Sequence, residues 1–468
     1  MLGPDSFGLL GWYTTLVGSL SILDMGLSNT FSRELARDSS NIKENVRNLF
    51  YSLERIYWLT GLGLCAILIL SSNFIANYWI TSSVISHTDL IYSICLMGVL
   101  LAFQWPQSIY SGAYLGIQKL DEYNVILIVT SILKNGGAFL VLLLVQNSIL
   151  AYLIWSVGIN ILMVLFMRYR IWSKIDNTNL KFSFLELAKI WKFASGMFII
   201  TLVSFALTQF DKLLLSKLFD LKTYGYYTLV FTVASGINLI GTMISSPLYP
   251  KLTNLVATES KFSVRVSYLK YITILSNIVC PLGIFVCIFS FELLSVWLNN
   301  NEIATAINVP VILMSVGFVL NCLMQIPYYL TLAYGWTRFT IVQNIIAIAL
   351  FIPTLYILST KYGMEGASFT WAALNAGYLL ISLPILHHFI LKGSLKEIYL
   401  KSILLPVLIT FPITYILHYI YIFNEFNELS RLVKVILFLI IMSIIYILLY
   451  VINTNFRKNI DIKKLNII

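Results

Sequence analysis

Thirteen apolar stretches follow one another along the chain, and they restrict its fold more than any other feature. They lie at about 9–31, 49–72, 90–115, 123–146, 149–168, 193–217, 225–249, 268–292, 304–333, 340–360, 364–391, 402–423 and 431–452. A hydrocarbon core about 30 Å thick takes roughly 20 apolar residues per helix. Inside it, every backbone polar group must be paired within the segment, which helices alone among open structures achieve. The connections are short, and the longest, at 169–192, is polar and basic. Only 11% of the 468 residues are charged and 59% are hydrophobic, whereas a soluble domain is about a quarter charged. The predicted class is an all-α polytopic membrane protein, with the membrane domain forming essentially the whole chain.

Charge then predicts orientation. The formal net charge of +10 sits in short loops between apolar runs, where it reads as a topology signal rather than a nucleic-acid surface. Alternate loops carry Arg33, Arg37, Lys43 and Arg47, then Lys119, then the cluster from Arg168 to Lys192, and the pattern continues to the tail residues Arg457, Lys458, Lys463 and Lys464. The loops at 73–89, 293–303 and 424–430 hold no lysine or arginine, and only Lys217, Lys222, Lys361 and Arg431 lie near that face. The expected location is a bacterial inner membrane, with the C-terminus cytoplasmic and the N-terminus periplasmic. The opening residues lack a basic start and meet Asp24 within their apolar run, so they do not read as a secretory signal. The five cysteines fall inside apolar segments without Cys-x-x-Cys spacing, so no metal site or disulfide framework is predicted.

The chain repeats itself. Phe7-Gly8-Leu9-Leu10 matches Tyr224-Gly225-Tyr226-Tyr227, Gln104-Trp105-Pro106 matches Gln325-Ile326-Pro327, and Leu115-Gly116 matches Tyr334-Gly335. With Trp155 and Trp371, the offsets are 217, 221, 219 and 216 residues. Two parallel lobes related by an axis along the membrane normal are implied. The expected division is an N-lobe at 1–170, a linker at 171–192, a C-lobe at 193–392, and a helix pair with a tail at 393–468. The second lobe has a helix before its Tyr224-Gly225 opening and the first does not, so the first helix of the N-lobe is expected to be missing. Restoring it would give fourteen helices, as two pseudo-symmetric six-helix lobes around a central cavity plus a C-terminal pair.

The run Leu2-Gly3-Pro4-Asp5-Ser6-Phe7-Gly8, then Leu23-Asp24-Met25-Gly26-Leu27 and Arg33-Glu34-Leu35-Ala36-Arg37, resembles the opening of polysaccharide-export flippases. These belong to the multidrug/oligosaccharidyl-lipid/polysaccharide superfamily. Gln209-Phe210-Asp211-Lys212-Leu213-Leu214-Leu215-Ser216 resembles the second half of the same family. The resemblance implies a Wzx-type translocase of an undecaprenyl-pyrophosphate-linked oligosaccharide, moved from the cytoplasmic to the periplasmic leaflet. It implies a transporter rather than an enzyme, with no cofactor beyond H+ or Na+ as coupling ion. A polymerase and a chain-length regulator of the same pathway are the implied protein partners.

Moving a diphosphate head group across hydrocarbon calls for a polar, cationic cavity, and Arg and Lys are the side chains that bind phosphate. Charges within helices are therefore the first candidates. Lys134, followed by Asn135-Gly136-Gly137, lies near mid-span, where it either lines the cavity or joins an interhelical pair. Arg55 is either a cavity group or a snorkelling cation, and Arg33 and Arg37 share a helical face as diphosphate receivers or topology anchors. Asn321, Gln325 and Asn375, like Asn238 and Asn344, suit sugar hydroxyls or interhelical hydrogen bonds. Asp24 and Asp211 are the ion-coupling candidates, each with a structural alternative: a helix-end bond for Asp24 and a stabilising pair with Lys212 for Asp211.

Two other functions compete. A multidrug or organic-cation antiporter of the same superfamily would want an acidic cavity, and the embedded charges here are mixed. A membrane polysaccharide polymerase or acyltransferase would want a large loop with catalytic groups, and none of the loops supplies paired carboxylates or a Ser/His arrangement. No Gly-x-x-x-x-Gly-Lys-Ser/Thr run occurs, so direct ATP hydrolysis is not indicated.

Overall fold

The structure, a computed structural model, describes residues 3–37, 44–175, 180–188, 208–423 and 430–459, with residues 202 and 205 between. No strand occurs among them. Ten helices of these residues are long and apolar enough to cross a membrane. The longest, Arg338–Phe389, contains two of the predicted runs, because Gly363 (φ +58°, ψ −137°) leaves the helical region between them. The last run appears as the apolar stretch Val433–Leu449. Most of the run at 193–217 lies outside the described residues.

The chain forms two compact units, Met1–Gly225 and Tyr226–Ile468. The first begins with α1 (Pro4–Leu20), which continues as a 3-10 turn to Asp24. Two left-handed residues follow, Met25 (φ 48°) and Gly26 (φ 71°), and the chain restarts as α2 (Leu27–Arg37). The sequence suggested one helix through 9–31. The structure corrects this, because a left-handed pair cannot continue an α-helix. Next come α3 (Glu44–Tyr78), α4 (His87–Gly116), α5 (Leu120–Leu144) and α6 (Ile149–Trp172). After them lie α7 (Phe210–Leu218) and the first turn of α8 (Leu221–Ser245).

The second unit takes the rest of α8, then α9 (Leu248–Thr258), α10 (Lys261–Ile288), α11 (Ser290–Leu298) and α12 (Asn301–Ala333). It ends with α13 (Thr337–Gly377, continuing to Phe389), α14 (Leu395–Phe423) and α15 (Arg431–Asn459). Serine and asparagine caps start several of these helices. Ser86, Ser148, Ser260 and Asn300 each accept from the backbone N–H three residues on, satisfying a donor the helix leaves open.

The repeat seen in the sequence reappears as repeated elements. Helices α2 and α9 are both 11 residues long and begin 221 residues apart. Helix α3 corresponds to α10 and α11 together, with a break at Phe289 (φ −95°, ψ 20°) in the second copy only.

In the first unit α3 packs along α4, and α4 also packs on α2 and α6. In the second, α12 packs on α10 and α13, while Phe285 and Phe289 join Tyr421, Phe438, Ile441 and Ile445 to dock α14 and α15. The outward faces are apolar: Leu59, Leu70 and Phe74 on α3, and Ile132, Phe139 and Leu144 on α5, are all more than half exposed. Lipid supplies the apolar contact that a soluble core would give such side chains.

Candidate functional site

Two polar clusters lie between the apolar helices of the first unit. The first is built on the α1–α2 turn, where the left-handed pair ends the 3-10 turn at Asp24. The Asp24 carboxylate accepts from Ser28 Oγ at 2.9 Å, from Ser108 Oγ of α4 at 2.8 Å and from Tyr57 Oη of α3. No basic side chain of the described residues pairs with it. Asp24 lines a cavity of about 380 Å³ with Ser21, Gln104, Gln107, Ser108 and Ser111, and Gln104 accepts from Tyr13 Oη at 2.8 Å. A carboxylate with three hydroxyl donors and no cation suits a proton, a hard cation or a positively charged solute.

The second cluster is one helical turn away on the same pair of helices. Glu54 of α3 is only 4% exposed. It accepts from Tyr110 Oη at 2.6 Å, from Arg168 Nε at 2.9 Å and from Trp172 Nε1 at 3.1 Å. Trp58 Nε1 in turn donates to Tyr110 at 3.0 Å. The ion pair with Arg168 and the further donors offset the cost of burying the carboxylate. These groups line a cavity of about 440 Å³ with Tyr51, Leu165 and Tyr169. Close by, Glu122 accepts from Arg170 at 2.8 Å and from Lys174. The stretch after α6 lies along α3, where Lys181 and Ser183 donate backbone N–H groups to Asn48 Oδ1 and Ser52 Oγ.

The other predicted residues are dispersed. Lys134 occupies a π turn, Ile132–Gly136, inside α5. It makes no hydrogen bond or ion pair with any described residue and lines neither cavity. In the same turn Trp155 Nε1 donates to Leu133 O at 3.0 Å. Arg55 is exposed and lies over the ring of Tyr51, 4.4 Å from its centroid. Arg33 and Arg37 fall on α2, with side chains outside the described residues. Asp211, buried at the start of α7, is 3.4 Å from Lys212 Nζ.

In the second unit the amides bond to one another. Asn321 Nδ2 donates to Asn375 Oδ1 at 2.8 Å, and Gln325 Nε2 to Asn238 Oδ1 at 2.8 Å, with Ser245 Oγ on the other end of Gln325. Tyr378 donates to Asn344 at 3.4 Å. These pairs join α12 to α13 and α8.

Sequence reasoning missed Tyr57, Ser108, Tyr110, Arg168 and Trp172. A hydroxyl in an apolar run carries little signal by itself. A stronger one was available in α6, where Arg168 and Trp172 stand four residues apart on one helical face and Glu54 needs a cation.

A two-copy bundle of this kind, with polar clusters inside apolar helices, is the architecture of the multidrug/oligosaccharidyl-lipid/polysaccharide superfamily. The fold matches the inward closed form of the lipid II flippase MurJ with a TM-score of 0.67, covering 97% of each chain at 13% identity. It matches an inward-facing multidrug resistance transporter of that superfamily at 0.70, over 84% of this chain and 92% of the other, also at 13% identity. A Shigella flexneri protein assigned as an O-antigen transporter is 23% identical over 373 residues, 79% of this chain and 87% of that one. Residues 1–303 match the family described as polysaccharide biosynthesis protein, and the chain belongs to that family. The proteins it resembles are transporters and flippases, not enzymes.

Proposed function

We propose that this membrane protein flips an undecaprenyl-pyrophosphate-linked oligosaccharide from the cytoplasmic to the periplasmic leaflet of a bacterial inner membrane, by ion-coupled alternating access. Family membership and the relatives above support the cargo class. The observation that carries the reading is Lys134, a cation near the middle of an apolar span with no partner among the described residues. A cation so placed costs several kcal/mol unless it faces water or an anion, and the pyrophosphate head supplies the anion. Lys134 and Arg55 serve as head-group cations, with Arg33 and Arg37 at the entry. Asn321, Gln325 and Asn375 would have to exchange their mutual bonds for sugar hydroxyls. Asp24 and Asp211 are the coupling candidates for H+ or Na+, and a polymerase with its chain-length regulator takes the unit afterwards.

One observation favours a second reading, an organic-cation antiporter: the Asp24 cavity is acidic and holds no counter-charge among the described residues. Proteoliposomes decide between the two. Gradient-driven movement of a fluorescent lipid-linked oligosaccharide, lost in Lys134→Ala, supports flipping. Cation exchange that survives Lys134→Ala but not Asp24→Asn, with no lipid movement, supports the antiporter.

A further inference from the structure

We infer that the cavity over Glu54 is a binding site for the phosphate of a membrane lipid, and that Arg168 receives it. This deepens the flipping reading, on which the choice of cargo rests. Glu54 is saturated by its own donors, so the carboxylate acts as an anchor for its neighbours rather than as a ligand group. It holds Arg168 through Nε, which leaves the planar Nη edge of the guanidinium for another acceptor, and the Arg168 side chain is 50% exposed. That edge matches two phosphate oxygens at once.

The surroundings select a lipid. Tyr51, Tyr169 and Trp172 line the cavity, and rings with one polar end are the residues that settle at head-group depth. Arg170 and Lys174 on one side, and Arg55 beside Tyr51, exceed the acidic groups Glu54 and Glu122, so the local field favours an anion. On α6 the cavity continues into an exposed apolar strip of Leu162, Leu165 and Phe166, a surface along which a hydrocarbon chain lies while its head occupies the cavity. About 440 Å³ accommodates a head group and not a whole lipid. Two lipids share this chemistry, the polyprenyl pyrophosphate of the cargo and the anionic phospholipid of the bilayer.

Native mass spectrometry of the full delipidated chain in detergent distinguishes them, with undecaprenyl pyrophosphate, undecaprenol and phosphatidylglycerol as probes. The pyrophosphate should be retained and undecaprenol lost. Arg168→Ala should lower retention roughly tenfold or more, the scale of a charge-assisted hydrogen-bond pair. Arg168→Lys keeps the ion pair with Glu54, and therefore the fold, and should lose part of the affinity because a point charge replaces the fork. Phosphatidylglycerol that displaces the pyrophosphate assigns the site to bulk lipid, and failure to displace it assigns the site to the cargo. Equal retention of undecaprenol, or wild-type retention by both Arg168 variants, overturns the proposal. Flipping measured on the same preparations keeps the two readings apart: Arg168-dependent binding in a chain that moves no oligosaccharide lipid ends the flippase reading and leaves the site standing.

Discussion

Gly8 and Gly225, 217 residues apart and matched by the internal repeat, lie against each other where α1 crosses the first turn of α8. The crossing is reciprocal. A Cβ on Gly8 would stand 2.2 Å from Leu221 O, and one on Gly225 would stand 2.1 Å from Pro4 O. Both obstacles are backbone atoms and cannot rotate away. Gly8→Ala or Gly225→Ala should each destabilise the protein by about 1–3 kcal/mol, the usual cost of overpacking. Thermal unfolding in detergent reads this, with Gly3→Ala as the control, since Gly3 has open space around it. Equal melting of all three variants would show that the crossing contributes nothing.

Asp24 ties α1 to α3 and α4 through Tyr57 and Ser108. Asp24→Asn keeps the shape and removes the charge, so it should flatten the dependence of flipping on the ion gradient while lipid still moves down its own gradient. Tyr57→Phe removes one of three donors and should weaken coupling less. Full coupling in Asp24→Asn liposomes excludes this residue as the ion site.

Lys134→Ala should abolish surface polysaccharide in complemented cells while the amount of protein in the membrane stays normal. Removing an unpartnered cation relieves a desolvation cost, so the variant should melt no lower than wild type. Export at the normal level would take Lys134 out of the transport path.

Glu292 of α11 and His418 of α14 meet at 3.0 Å beside Phe289, and the second oxygen of Glu292 is buried with no partner among the described residues. His418→Ala strands the carboxylate and should cost roughly 3 kcal/mol, as broken buried pairs do. His418→Ala with Glu292→Gln should recover part of that loss, because no charge is then left unpaired. The comparison is again made by thermal unfolding in detergent.

Much of this was legible in the sequence. Apolar runs near the bilayer thickness located the spans, and Tyr224-Gly225 located the repeat, because both signals are local or recur at fixed spacing. The break after Asp24 was hidden, since Met25 has no visible preference for a positive φ. The Glu54 cluster was hidden for another reason: Arg168 lies 114 residues away, and a loop-end arginine reads as a topology signal until the fold closes the distance. Asn321, Gln325 and Asn375 were legible as polar, but their satisfaction by each other depends on how α12 meets its neighbours.

The duplication of elements has one more consequence. At the repeat-matched positions of Asp24, Glu54 and Lys134 stand Gly241, Tyr271 and Pro353, so the copies share a shape but not these charges. The later copy is released from chemistry at those places and keeps only the demands of packing. A saturation scan should therefore sort by copy: lesions at 24, 54 and 134 would silence a protein that still accumulates, whereas lesions at 241, 271 and 353 would remove the protein itself.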